Sequence, residues 1–280
     1  MPSIVTLDIF SGRENPSWVV DDDKVADLQR VAGAAAGARL GPLPILGYRG
    51  FQVRPVDSEH AAAAALEGVP QGPHGAVVVG QREAEELLLS TAAEHLDDQL
   101  RAYVREAITR GPDTAAMQAA EAAAAVRCPP CHAHDAPAYN PAFWNTPARQ
   151  PTNNCYNYAN DQATNTFAQP GRATGHMYTA LNCPSVRAGA TSDGLHACPN
   201  FHGTLGPGHG WYVALVIWPN VDYHWYRQDK VGCWSHKPGG TPARNTDNSG
   251  KPITDPRTCN RGNYTVFCTY MITTRHVRIR

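Results

Sequence analysis

The sequence VDYHWYRQDKVGCWSHKPGG, at residues 221–240, predicts a β-hairpin that carries two histidines. Its aromatic first strand ends at the turn sequence DKVG, and CWSHK follows as a second strand. The preceding run WYVALVIW predicts a central strand that is apolar on both faces. Together these runs predict a meander of three antiparallel strands in the second half of the chain.

The two histidines occupy mirror positions about the predicted turn. If the turn is centred near Lys230, His224 lies directly opposite His236, with their Cβ atoms roughly 4.5–5.5 Å apart. A register slip of one residue would separate them. Two adjacent imidazoles suit either a general base with an orienting partner or a pair of metal ligands.

A cysteine opens the helix that we predict over NNCYNYAND. Asn153 or Asn154 caps this helix, and Cys155 is its first residue. The positive end of a helix lowers the pKa of a thiol, and its N–H groups can stabilise an oxyanion. The alternative interpretation is a small buried cysteine under a tyrosine-rich helix.

The order of these residues along the chain is that of papain-like hydrolases. Cys155 would be the nucleophile, His224 the general base and His236 the orienting group, with Asn154 helping to hold the oxyanion. Papain-like enzymes have Asn or Asp at the third position, so three acidic residues are alternatives there, and His209 is a reserve base. The acidic alternatives are Asp222, Asp247 and Asp255.

Composition divides the chain into two parts, and the expected fold class is α+β. Residues 1–111 lack cysteine and predict a small N-terminal α+β domain, with strands in SIVTLDIF, GYRGFQVRPV and GAVVVG. Leucines at helical spacing predict a helix over residues 83–110. An Ala/Pro-rich linker with CPPC is expected at residues 112–150. Residues 151–280 are expected to form a papain-like domain with an antiparallel sheet.

The motif CPPCHAHD, at residues 128–135, allows a zinc site as a weak alternative. Its ligands would be Cys128, Cys131, His132 and His134, although ligands this crowded rarely close a tetrahedron. A redox dithiol and a disulfide or plain cysteine pair are the other interpretations. If the chain is exported, Cys183 with Cys198 and Cys259 with Cys268 are expected to close loops. Cys233 and His236 fall on opposite faces of their strand.

Charge and hydropathy exclude several classes of partner. The formal net charge is -1, so nothing favours nucleic acid, and no apolar run approaches the length of a membrane span. No secretory signal pattern opens the sequence, which predicts a cytoplasmic protein or export by a signal-less route. Eight cysteines favour an extracellular domain instead, and the two indications conflict.

The motifs NNCYNYA and YHWYRQDKVGCWSHKPGG, with LDIFSGRENPSW and GYRGFQV, carry a resemblance over most of the chain. They resemble an uncharacterised family of bacterial and some eukaryotic proteins. We therefore expect a bacterial protein with two domains, while its enzymatic character is inferred from motif order alone.

Two functions from different classes follow. The first is a cysteine-dependent hydrolase that acts on amide bonds of a peptide or other amide-containing substrate, as a thiol protease, amidase or deamidase, and that needs no cofactor. Such a hydrolase could also be a secreted effector. The alternative is a non-catalytic binding module stabilised by disulfides or zinc, in which the histidine pair is structural.

Overall fold

The computed structural model describes residues 2–34, 40, 43–56, 71–72, 75–112 and 127–280. The chain forms two compact units. The first comprises residues 1–9, 15–44 and 48–114, and the second comprises residues 10–14, 45–47 and 115–280. Within the described residues each unit contains a five-stranded antiparallel sheet together with helices. The α+β class predicted from the sequence is therefore confirmed.

The first unit has the sheet order β2-β1-β3-β5-β4. Its elements are β1 (Ser3–Leu7), β2 (Ser17–Val20), α1 (Asp22–Ala34), β3 (Phe51–Pro55), β4 (Gln71–Gly72), β5 (Gly75–Val78), α2 (Arg82–Ser90) and α3 (Asp98–Arg110). The single helix predicted over residues 83–110 is two helices. The chain turns after Ser90, and Asp97 starts α3 by accepting a 2.7 Å hydrogen bond from the backbone N–H of Leu100.

The second unit has the sheet order β6-β10-β7-β8-β9. Its elements are α4 (Pro141–Trp144), α5 (Cys155–Ala159), α6 (Cys183–Ser192), β6 (His196–Cys198), β7 (Trp211–Trp218), β8 (Asp222–Gln228), β9 (Trp234–His236) and β10 (Val266–Thr273). The run WYVALVIW is β7, a fully buried strand between β10 and β8. The predicted meander is thus present as β7, β8 and β9.

The linker predicted over residues 112–150 lies only in part within the described residues, because residues 113–126 fall outside them. Its described part, residues 127–150, belongs to the second unit. A disulfide joins Cys128 to Cys233, and the Trp144 ring packs on Tyr158 with centroids 5.2 Å apart. Residues 127–150 are therefore integral to the second unit, and the linker prediction is wrong for them. Among the described residues, no helix has the length and apolar character needed to cross a bilayer.

Candidate functional site

The two histidines of the hairpin are in contact, although the strand register differs from the predicted one. Tyr226 lies opposite His236, so His224 is diagonal to His236 and two residues from the predicted register. A shift of two residues keeps both side chains on the same face of the sheet. Nε2 of His224 is 2.8 Å from Nδ1 of His236, and both residues are fully buried.

The two histidine rings lie in one chain of polar contacts. Nε2 of His236 lies 3.0 Å from the carbonyl oxygen of Thr246, and Nε of Arg244 donates to the same Nε2 at 3.2 Å. Nδ1 of His236 lies 2.8 Å from Nε2 of His224, and Nδ1 of His224 is in hydrogen-bond contact with the hydroxyl of Ser11. Burial, and then the charge of Arg244, lowers the pKa of His236 well below its ordinary value. Burial therefore favours the neutral form of His236.

Ser11 belongs to residues 10–14, a segment of the second unit that we had predicted to lie in the N-terminal domain. The carboxylate of Asp222 holds the segment by its backbone. One of its oxygens accepts from the N–H of Ser11 at 2.5 Å, and the N–H groups of Gly12 and Arg13 both lie 3.2 Å from an oxygen of the same carboxylate. Tyr264 also donates to Asp222, at 2.5 Å. Asp222 is therefore a backbone anchor for this segment.

The carbonyl oxygen of Gly12 is held by three side-chain donors. Asn154 Nδ2 is 2.7 Å away, Gln169 Nε2 is 2.8 Å away and the Tyr223 hydroxyl is 2.9 Å away. Such a set of donors resembles a site that stabilises a developing oxyanion. Here the donors bind a carbonyl of the chain itself. Gln169 and Tyr223 were not predicted, because only the fold brings them to residue 12.

Asn154 has no hydrogen-bonding group left for a substrate. Its second Nδ2 hydrogen is donated to the carbonyl oxygen of Ala168 at 2.8 Å. Its Oδ1 accepts from the backbone N–H groups of Tyr156 at 3.0 Å and Asn157 at 3.1 Å, which is the predicted cap of α5. The proposed oxyanion role of Asn154 is incompatible with these contacts, and its role is structural.

Cys155 is the first residue of α5, as predicted, but its thiol is not activated. The residue has 0% exposure, and burial raises the pKa of the thiol far above its ordinary value, with the charge of Asp222 adding to the effect. Hydrogen bonds from Ser11 and the backbone of Trp225, and the charge of Lys237, lower this pKa without offsetting burial. The helix has only five residues, so its dipole is small. The expected thiolate is therefore not favoured.

The remaining candidates have separate structural roles. Asp247 accepts from the backbone N–H groups of Ser249 and Lys251 and holds a turn, whereas Asp255 accepts from the Tyr270 hydroxyl. His209 lies in an exposed loop, where its N–H donates to Gly206. We call the buried group the polar cluster, and define it by these residues: Ser11, Gly12, Asn154, Cys155, Gln169, Asp222, Tyr223, His224 and His236.

The proposed zinc ligands have other partners. Cys128 is disulfide-bonded to Cys233, so it is not available to a metal. The Cys131 thiol points to the carbonyl oxygen of Ala133 at 3.8 Å, and His134 pairs with Asp135 at 3.0 Å. No group of three potential ligands is found among the residues that the structure describes. The zinc alternative and a disulfide within CPPC are therefore wrong, since Cys128 bonds elsewhere.

The predicted loop disulfides are also wrong in their pairing. Cys183, at the start of α6, is bonded to Cys268 on β10, whereas Cys198 and Cys259 are free thiols. The sequence places each predicted pair around a short loop, but the sheet brings together two residues 85 positions apart. Sequence proximity was a poor guide because the fold, and not the loop length, decides which cysteines meet.

An open groove on the second unit holds the residues that the zinc hypothesis singled out. Its lining includes Cys131, His132, His134, Gly206 and Lys230, and we call it the groove. These side chains reach solvent, unlike those of the polar cluster. The second unit therefore has two regions that combine cysteine with histidine, one enclosed and one open.

Comparison with known proteins identifies a relative with a descriptive name. The chain is 50% identical over 131 residues to Insoluble matrix shell protein 1 of the clam Ruditapes philippinarum. The match covers 46% of this chain and 84% of the relative. No family model matches the chain, and no solved structure matches it. This chain belongs to the same family as Insoluble matrix shell protein 1.

This relationship corrects three expectations drawn from the sequence. A cysteine hydrolase of bacterial type, with or without an effector role, is contradicted, because the relative is a shell matrix protein of a clam. A cytoplasmic location or a signal-less route is contradicted by the same relative and by two disulfides, which persist in oxidising compartments. The catalytic roles assigned to Cys155, His224 and His236 lose their basis accordingly.

Proposed function

We propose that this chain is a non-catalytic structural protein of an extracellular, insoluble shell matrix. The observation that carries the proposal is the 50% identity to Insoluble matrix shell protein 1 over 84% of that protein. At that level of identity the two chains share a fold over the matched part. A common structural role is the simplest function compatible with the name of the relative.

The disulfides support a role outside the cell. Cys128–Cys233 and Cys183–Cys268 link residues 105 and 85 positions apart, so both constrain long loops of the unfolded chain. A disulfide that closes a loop of this length is expected to stabilise the fold by roughly 2–5 kcal/mol. A structural protein that is exposed to the extracellular medium benefits from such stabilisation.

The polar cluster supports a role without catalysis. Cys155, His224 and His236 are fully buried, and residues 10–14 occupy the space beside them. The donors that would hold an oxyanion hold the carbonyl of Gly12 instead. We interpret the cluster as a buried hydrogen-bond network that fixes residues 10–14 in the second unit.

We also propose a fold for the second unit and a wider family for the chain. The order of Cys155 on a helix, with His224 and His236 on adjacent strands, supports a papain-like arrangement of the second unit as a fold without the enzyme's activity. The motifs NNCYNYA and YHWYRQ support membership of the wider family named from the sequence.

Fractionation of the source tissue tests the proposed function. An antibody against this chain would be applied to shell and soft tissue of the organism that makes it, each separated into soluble and insoluble fractions. We expect the chain in the insoluble shell fraction, released by denaturant together with a reductant. Recovery mainly from the soluble extract of cells would contradict the proposal.

A further inference from the structure

The cysteines of this chain leave an odd number of accessible thiols. All eight lie within the described residues 127–280, and two disulfides use four of them. Cys131, Cys155, Cys198 and Cys259 stay unpaired. Cys155 is enclosed in the polar cluster, whereas the other three are partly exposed. Three thiols cannot all pair within one chain, so in an oxidising medium at least one must stay reduced or bond to another molecule.

The three accessible thiols differ in their surroundings. Cys131 lines the groove, where burial raises the pKa of its thiol. The hydrogen bond to the backbone of Ala133 and the charge of Lys230 oppose that effect, whereas the charge of Asp229 adds to it. Burial raises the pKa of Cys198 to about 11 and that of Cys259 to about 12. Cys259 is further constrained, because its sulfur lies 4.0 Å from the Tyr226 hydroxyl and 3.7 Å from the carbonyl oxygen of Pro256.

Cys198 is at an edge of its sheet. It is the last residue of β6, and β6 is the outermost strand of its sheet. Cys131 is in the open groove on the same unit. Both residues are partly exposed in the folded unit, and an interchain bond requires such exposure.

We propose that Cys131 and Cys198 form disulfides between copies of this chain and so build a covalent polymer. The proposal rests on the proposed function, because it requires an oxidising extracellular medium. One interchain bond on each molecule would stop at a dimer. Two bonds on each molecule allow open-ended chains, and these account for an insoluble product.

The chemistry is a thiol–disulfide exchange with a small disulfide as the oxidant. The Cys131 thiolate attacks one sulfur of the oxidant, forms a mixed disulfide and releases one small thiolate. A thiolate of a second chain then attacks the Cys131 sulfur, forms the interchain bond and releases the other small thiolate. Two protein thiols are oxidised to one disulfide, and one small disulfide is reduced to two thiols. Because the attacking species is the thiolate, linkage is expected to accelerate as pH rises.

The test uses the purified full-length chain with its two native disulfides intact, and oxidised glutathione as the oxidant. Incubation at pH about 8.5, near the ordinary thiol pKa, is followed by a non-reducing gel and by mass spectrometry of the linked peptides. We expect dimers and higher oligomers that a reductant dissolves, with links through Cys131 and Cys198. The double variant Cys131→Ser/Cys198→Ser should form at least tenfold less oligomer.

A matched control keeps the experiment decisive. Cys259→Ser removes a partly exposed thiol of the same unit and should polymerise as the unaltered chain does. Thermal unfolding of each variant identifies any that fails to fold, and the single variants Cys131→Ser and Cys198→Ser should then stop at dimers. Unchanged polymerisation of the double variant, or an intrachain bond joining Cys131 to Cys198, would overturn the proposal. The tissue fractionation is a separate result, so failure of either proposal is recognised independently.

Discussion

The polar cluster and the groove contain the same residue types and differ in burial. In the cluster, Cys155 lies beside Ser11 and near the pair His224–His236, all without exposure. In the groove, Cys131 is partly exposed next to two histidines. The sequence predicted a reactive site from the first set and allowed a zinc site from the second only as a weak alternative. The structure makes the cluster a closed network and leaves the groove open to solvent.

The difference shows that a reactive residue type becomes reactive only where solvent and a substrate can reach it. Burial disfavours the charged form of a thiol or an imidazole, and here it outweighs the short helix at Cys155. The polar cluster is a hydrogen-bond network that holds residues 10–14. The groove is the region of the two in which solvent and other molecules can reach a thiol. Four measurements test whether the two regions differ in this way.

Removal of the Asn154 side chain should have the largest effect. Asn154→Ala takes a donor from two buried carbonyls and the cap from α5, so we expect a loss of about 3 kcal/mol in the free energy of unfolding. Asn182→Ala is the matched control, since Asn182 caps α6 at an exposed position and should cost about 1 kcal/mol. Denaturant unfolding measures both, and equal losses would show that the cluster contributes no more than an ordinary cap.

A methyl group at residue 12 tests how closely the cluster is packed. A Cβ at Gly12 would collide with the ring of Tyr223, so Gly12→Ala should cost about 2 kcal/mol. In the groove, a Cβ at Gly206 would have its nearest contact at 3.4 Å, and Gly206→Ala should change stability by less than about 0.5 kcal/mol. Neither glycine has a positive φ, so the comparison is one of space alone. A tolerated Gly12→Ala would indicate that residues 10–14 are not held in place.

A dependence of stability on pH should arise from His236. Burial and Arg244 lower the pKa of His236 in the folded protein, whereas the unfolded chain has its ordinary pKa near 6.5. Below that pH the unfolded state takes up a proton that the folded state does not, so stability falls as pH decreases. The pKa of Asp222 is raised by burial and acts in the opposite sense, since its contribution is lost as pH rises.

The contribution of His236 can be isolated by difference. Denaturant unfolding of the unaltered chain and of His236→Gln, each between pH about 4 and 7, gives two profiles. We expect the variant to be less stable near neutral pH and to lose less stability on acidification. Parallel profiles would mean that His236 has the same pKa in the folded and unfolded states, which would contradict this assignment.

The sequence predicted the features that depend on short-range patterns. The central strand β7, the hairpin of β8 and β9 and the cap of α5 all follow from residues close in sequence. The predicted contact between His224 and His236 is present although the predicted strand register was wrong by two residues. Side chains alternate with a period of two, so such an error leaves both rings on the same face of the sheet.

The features that the sequence did not predict depend on distant residues. Ser11 meets His224 across 213 positions, and Cys128 meets Cys233 across 105. No local pattern encodes such pairings. The lowered pKa that the sequence predicted for the Cys155 thiol was also wrong. Residues 10–14 and the sheet bury this thiol, and both are distant from it in the sequence. Short-range sequence patterns therefore located the histidines and Cys155 of the cluster, but not the distant residues that contact them.

Alkylation of the native protein shows which of the two thiols solvent can reach. Iodoacetamide at neutral pH, with each cysteine located by mass spectrometry, compares Cys155 with Cys131 in one sample. We predict that Cys131 is modified in the folded protein and that Cys155 reacts only after denaturant is added. Rapid and selective modification of Cys155 in the folded protein, abolished by His224→Ala, would contradict the account and show that the cluster is an accessible, activated thiol site.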